Sequence, residues 1–422
     1  MVDNSDIVSK KSKLLESQRI KLISPILHIG AEVQKLNPFE YVKTADKIYI
    51  PNQEALGKAL YQQGGSFLND YITAIEQGED ISRLLENAFG KEWWNTTASN
   101  GERIFPETGI SDNWSDSDNV SKIRPMIRNG MGHKYIPGSS IKGAIRTAIA
   151  YHMLKEQPTR VSEIEIELRK RLGERTKPSD SFFMKDLFSN FSLRYDNNPI
   201  GSVSDANTDF MRAIKITDSK PLIHKIIKTK KGTVKINKPV VAEVVISSFA
   251  NTRTKEGFIN KVAKYKAPLY VEMVSEVRTE FTLSLDTKML AWFEHQQGIE
   301  IPFKTITDIL KICNQFSQAQ WIYERKYWSD ITNNHQDELD FDDIKEEYQK
   351  PVCPYDLRIG WGSGMTGTTI GLCYEQDKTL MADIRDASGL KAPGYEAPKS
   401  RRTVSNADGD IKFVPGWVKF KY

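Results

Sequence analysis

Cysteine is scarce in this chain: three in 422 residues, at positions 313, 353 and 373. None are spaced as CxxC, which argues against a disulfide framework and a cysteine-rich zinc site and fits a reducing, cytoplasmic setting. Long apolar runs are also missing. No stretch approaches the ~20 apolar residues that cross a bilayer, so no membrane partner is expected. Residues 1–18 are polar and lack the apolar centre of a secretory leader. Neither sign of charge is in excess. The 59 Lys and Arg against 55 Asp and Glu leave a net +4, so a nucleic-acid surface would have to come from local clustering. Signatures of catalysis are absent too. The six histidines are scattered, and there is no HExxH, GxSxG or Cys/His cluster. What remains is an ordinary globular composition, 39% hydrophobic and 27% charged, long enough for real cores and, at roughly 100–200 residues each, for two or three domains.

The most informative stretch is residues 135–147, Tyr-Ile-Pro-Gly-Ser-Ser-Ile-Lys-Gly-Ala-Ile-Arg-Thr. Pro137-Gly138 marks a turn, and Ser139 or Ser140 is placed to cap a helix. Ile141, Ala144, Ile145, Ala148, Ile149 and Met153 then form a helical apolar stripe. Lys142 and Arg146 stack four apart off that stripe, with Gly143 leaving a gap beside them. Exposed amides and two cations suit a phosphate. The competing reading is a plain amphipathic helix with solvated cations.

The remaining periodicity predicts an α+β chain. Residues 19–25 read as a strand broken by Pro25. Residues 51–61 read as a helix burying Ala55, Leu56, Ala59 and Leu60, and helical period continues through 66–90. Residues 95–120 are polar and read as a long loop or insertion. Strand character returns at 122–128. Residues 155–180 read as a charged surface helix and a linker. Strands are expected at 211–217, 222–229, 233–238, 240–247, 270–277 and 279–285. A long amphipathic helix spans 303–328, and 331–350 are acidic and polar.

Three further clusters bear cations or glycines. Lysines 225, 228, 230, 231, 235 and 238 read as a basic hairpin turning near Gly232. Lys228, Lys230, Lys231 and Lys235 either attract an RNA backbone or guard a strand edge. Gly360, Gly362, Gly364, Gly367 and Gly371 make the next cluster. It matches GxGxxG without the βαβ context and resembles a P-loop with Thr368 in place of the phosphate-binding lysine, so nucleotide-cofactor binding is not expected. Such a loop either approaches an RNA backbone, with Trp361 and Ser363 offering base or sugar contacts, or packs on its neighbour. Lys399, Arg401 and Arg402 form a short basic run. His152 falls on the apolar stripe and reads as a core histidine. Asp205, Asp209 and Asp218 could hold a metal for phosphodiester cleavage, though loop capping is the preferred reading. No cofactor and no catalytic residue are expected.

Residues 135–147 resemble the signature of the RAMP superfamily of CRISPR effector proteins, in the form carried by the Csm-type subunit that caps the 3′ end of guide RNA in type III-A complexes. Other segments resemble that family in order along the chain: residues 24–30 (Ser-Pro-Ile-Leu-His-Ile-Gly), 210–219, 270–274, the 360–364 loop, 398–402 and 415–418. The resemblance implies two RRM-like (ferredoxin-like) lobes, 1–205 with an insertion near 95–120 and 206–422 with the glycine-rich loop. It implies a non-catalytic RNA-binding subunit in the cytoplasm whose partners are guide RNA, target RNA and other Csm-complex RAMP subunits. The implied RNA-contacting residues are His28, Lys134, Ser139, Ser140, Lys142, Arg146, Gly360, Trp361, Gly362, Ser363, Gly364, Lys399, Arg401 and Arg402. The alternative is a filament-body subunit that cleaves target RNA with a metal-assisted aspartate.

Overall fold

The computed structural model describes residues 15–422 apart from 32–34, 45–46, 100, 102, 106, 111–122, 175–180, 200–206, 230–231, 254–258, 265–268, 297, 336–338, 393–394 and 406–409. It is an α+β structure organised on a 13-stranded sheet. Strand Leu15–Leu27 pairs antiparallel with Leu269–Asp286, from Leu15 opposite Asp286 to Leu27 opposite Val274. Its other edge takes Trp417–Lys421. Leu269–Asp286 pairs onward with Lys238–Arg253, which in turn pairs with Ile259–Lys264 and Ser400–Ser405. Alternation fixes which face is covered: Ile20 and Leu22 are buried while Arg19 and Lys21 are exposed.

Helices Gly138–Lys155 and Ile306–Ser329 supply the main core. Ile141, Ile145 and Ile149 share it with Ile20, Leu22, Phe281, Leu283, Ile309 and Phe316, as the apolar stripe predicts. The longer helix opens with a reciprocal capping box between Thr305 and Asp308. A separate helical cluster forms around Leu56, Leu60, Tyr71, Leu85 and Trp93, from helices Gln53–Gln63, Phe67–Gln77 and Ser82–Phe89.

Several expectations are corrected. Pro25 does not break its strand. Glu276, opposite it, sits at φ +51° and its carbonyl accepts from the Asn237 amide, so the ladder needs no N–H from position 25. The first half of the expected 211–217 strand is a 3-10 turn, Phe210–Ala213, because the Asp209 side chain accepts from the Met211 amide and caps it. The polar 95–120 stretch is not only loop: Ile104 and Phe105 are fully buried in the helical cluster, and Glu107–Ile110 is a strand. Residues 331–350, too, contribute a core. Helix Asp342–Gln349 buries Ile344 and Tyr348 against Trp321, Trp328 and Trp417, and Tyr348 Oη accepts from Trp417 Nε1 at 2.8 Å. His152 is only half-buried.

Candidate nucleic-acid interface

Neither Ser139 nor Ser140 caps the helix they were expected to start. The helix begins at Gly138, with Pro137 as the flanking residue and no side-chain cap. The Gly138 amide instead donates to Asp218 Oδ1 at 2.8 Å. Gly138 is required there, since a Cβ would run into the Ile216 carbonyl. The anion expected at this helix start is therefore supplied by the chain itself. Lys142 Nζ donates to the Ile214 carbonyl at 2.8 Å. Arg146 pairs with Asp209 at 2.6 Å and lies 3.9 Å over the Phe188 ring. Neither cation is simply solvated, which revises the plain amphipathic-helix reading: the motif is a tertiary clasp that joins helix and strand. Asp209 and Asp218 are engaged as loop caps; Asp205 lies outside the described residues.

Lys134 belongs to a second closed network. Glu272, fully buried on the central strand, pairs with Lys134 at 2.8 Å and with Arg128 at 2.5 Å, and accepts from the Met126 amide. Burial alone would raise its carboxyl; the two cations outweigh that and hold it at about 2. The Glu272 carbonyl also accepts from His28 Nδ1 at 2.7 Å. That bond fixes the tautomer and leaves Nε2 bare and, among the described residues, without a partner. Burial lowers the His28 pKa to about 4, so His28 is neutral near pH 7.

Above His28 the glycine-rich loop closes down on the sheet. Gly360 sits at φ +76° with no room for a Cβ against the His28 carbonyl, and the Trp361 amide donates to that same carbonyl at 3.0 Å. Gly362, at φ +99°, packs on Pro415. The loop is thus both a packed element and a platform. Trp361 meets His28 edge-on at 5.5 Å. Arg402 stacks 3.8 Å from the Trp361 ring centre and Arg124 approaches to 5.3 Å. Neither arginine has a carboxylate partner among the described residues. Burial and the neighbouring Arg124 lower the Arg402 pKa to about 10, which leaves it charged near neutral pH. Two partly buried guanidiniums thus share one aromatic ring, with no carboxylate beside them among the described residues.

Arg402 also forms part of the wall of a cavity of about 470 Å³ that gathers Gly362, Ser363, Gly364, Lys399 and Arg401. The structure thus brings the glycine loop and the C-terminal basic run together. Within it, Arg401 is bound through Nε to both Glu324 carboxylate oxygens at 2.8 Å, and Lys399 lies over the Tyr395 ring. The basic hairpin stands apart as a two-stranded sheet, Lys225–Thr229 with Gly232–Ile236. Lys228 and Lys235 are exposed on it; Lys230 and Lys231 lie outside the described residues. Sequence reasoning missed Arg124, Arg128 and Glu272. For Arg124 the signal was a cation set among apolar neighbours, Ile123-Arg124-Pro125-Met126. For Glu272 it was a carboxylate inside a strand of buried residues.

The profile of the RAMP superfamily matches residues 19–349, and the chain belongs to that superfamily. Within it, the similarity is to Csm5. The "CRISPR system Cms protein Csm5" of Streptococcus thermophilus is 29% identical over 134 residues, 30% of this chain and 35% of that protein. Its counterpart in Mycobacterium tuberculosis (strain ATCC 25618 / H37Rv) is 29% identical over 106 residues, 24% of this chain and 25% of that protein. The aligned segments therefore span about a third or less of those relatives. In fold, the chain is similar to one chain of a cryo-EM structure of a Csm–crRNA–target RNA ternary complex of a type III-A CRISPR-Cas system, with TM-score 0.61, 20% identity, and coverage of 96% of this chain and 100% of the other. The crystal structure of T. onnurineus Csm5 matches at TM-score 0.55 and 18% identity, over 95% and 100%. Among the described residues no helix is long and apolar enough to cross a membrane, and no group of three or more His, Cys, Asp or Glu could hold a metal.

Proposed function

We propose that this chain is a non-catalytic, cytoplasmic RNA-binding subunit of a type III-A Csm interference complex. In this reading it holds the 3′ region of guide RNA, caps the filament of related RAMP subunits, and has guide RNA, target RNA and those subunits as partners. The observation that carries it is the Arg124–Trp361–Arg402 stack, a cationic aromatic platform with no carboxylate partner among the described residues. Such a platform suits a phosphate and an unpaired base of a single strand. Sequence would be read by guide–target pairing, with the protein holding backbone. The superfamily membership and the fold likeness support the same reading. The engagement of Asp209 and Asp218 as caps supports binding over aspartate-based cleavage.

The test is to purify the assembled complex with the wild-type chain and with the Arg124→Ala/Arg402→Ala pair, then sequence the bound guides. Expected outcomes are reduced occupancy of this subunit and shortened, heterogeneous guide 3′ ends. Full occupancy with unchanged 3′ ends would overturn the reading.

A further inference from the structure

We propose that the cavity behind Arg402 is a pocket for one nucleotide unit, with its cations meeting the phosphate and its bare backbone and apolar atoms meeting the base or sugar. This inference rests on the RNA-binding reading and goes beyond it by assigning a second subsite next to the stacking platform.

Size is the first argument. At about 470 Å³ the cavity falls among small-molecule clefts, which run to roughly 300–1,000 Å³. A lone inorganic anion, a few water volumes of about 30 Å³ each, would leave most of it empty. Charge is the second. Arg358, Arg385, Lys391, Lys399, Arg401 and Arg402 line the cavity; Arg401 is bound to Glu324 and Arg385 to Asp386, which leaves Arg358, Lys391, Lys399 and Arg402 without a carboxylate partner among the described residues. Arg358 is satisfied by the carbonyls of Pro415 and Gly362, which orient it without neutralising it. Third, Arg401 is 95% buried, yet its Nη2 has no hydrogen-bond partner. That atom is shut off from solvent and the guanidinium lies 4.0 Å over the Tyr327 ring, so Arg401 acts as a fixed positive charge at the cavity wall. Fourth, part of the lining permits close approach. Gly364 is exposed at φ +70° with open space where a Cβ would stand, and Met365, Leu390 and Pro398 offer apolar surface nearby. Cations, bare backbone and apolar atoms around one cavity offer partners for both halves of a nucleotide.

The nucleotide could belong to a bound RNA or be free in solution, and one set of titrations separates the cases. Adenosine and uridine 5′-monophosphates and inorganic phosphate are titrated calorimetrically into the wild-type chain and into Lys391→Glu/Lys399→Glu. A ten-nucleotide RNA with 4-thiouridine at its 3′ end or in its middle is then bound and crosslinked. We expect monophosphate binding that phosphate alone does not reproduce, weakened about tenfold or more in the charge-reversed variant and rescued in Lys391→Arg/Lys399→Arg. Crosslinks to residues 398–402 mark RNA as the source; monophosphate binding without crosslinks marks the free nucleotide. Phosphate binding as tightly as the monophosphates would reduce the pocket to an anion site and overturn the proposal. No monophosphate binding to the wild-type chain while the RNA still binds the Trp361 platform would overturn it and leave the RNA-binding reading standing. Unchanged melting temperatures confirm that the variants are folded.

Discussion

Replacing Arg402 or Arg124 by alanine removes a charge that no acid of the described chain balances. We expect RNA affinity to fall and the log–log salt slope to flatten by about 0.7 per lost phosphate contact on a single strand, with little change in melting temperature. Trp361→Ala should cost about 1–3 kcal/mol of RNA affinity if the ring stacks on a base; fluorescence anisotropy across a salt series reads both effects. Arg146 behaves differently because Asp209 and Phe188 already hold it. Arg146→Ala should cost about 1–2 kcal/mol of stability, discounted for its partial exposure, and leave the salt slope unchanged. A flattened slope with normal stability would instead restore it to the RNA surface. Glu272→Gln should be the most damaging single change here. It strands Lys134 and Arg128 beside a neutral amide, a loss of about 3–5 kcal/mol for a broken buried pair, measured by denaturant unfolding.

Element by element, the sequence was legible where one period dominated. The stripe from Ile141 to Met153 and the long helix near 306–329 follow from 3.6-residue spacing alone. It was not legible where a distant residue settled a local question. Ser139 and Ser140 are good caps in isolation, but Asp218, eighty residues on, takes the Gly138 amide. Pro25 looks like a strand end, yet Asn237 and Glu276 remove the need for its N–H. At the site, the glycine loop and the basic run were each visible as composition. Their union in one cavity was not, because it depends on strand Ser400–Ser405 pairing with Lys238–Arg253. The glycine loop permits a sharp test. Gly360→Ala meets the His28 carbonyl and a positive φ together, so it should lower both stability and RNA binding. Gly364→Ala meets open space at a positive φ, so its cost should be a strain of about 1 kcal/mol. Equal effects of the two would contradict the close packing of the loop on His28.

At the scale of the whole molecule, pH and topology each give a handle. Burial of His28 lowers its pKa to about 4 from 6.5. As pH falls below 6.5 the unfolded chain takes up a proton that the folded chain refuses, so stability is lost between about 6.5 and 4, by about 3 kcal/mol in all. Glu272 acts lower down: with a folded pKa of about 2 against 4.5, its contribution is intact above 4.5 and is lost as pH falls toward 2. His28→Gln should therefore flatten the stability–pH curve between 6.5 and 4 and leave the steeper acid limb; an unchanged upper limb would show that His28 titrates normally. The topology bears on the proposed lobes, 1–205 and 206–422. Strand Leu15–Leu27 lies in the first, but both its neighbours, Leu269–Asp286 and Trp417–Lys421, lie in the second. Each half alone would leave a long strand edge unpaired and the buried sides of Ile20, Leu22, Phe281 and Leu283 uncovered. We expect either half expressed alone to aggregate, and the two co-expressed to reassemble into one soluble 1:1 species on size exclusion. A monomeric, cooperatively unfolding 206–422 fragment would show that the second lobe needs nothing from the first, and would make the shared sheet a docking of finished domains instead of a single folding unit.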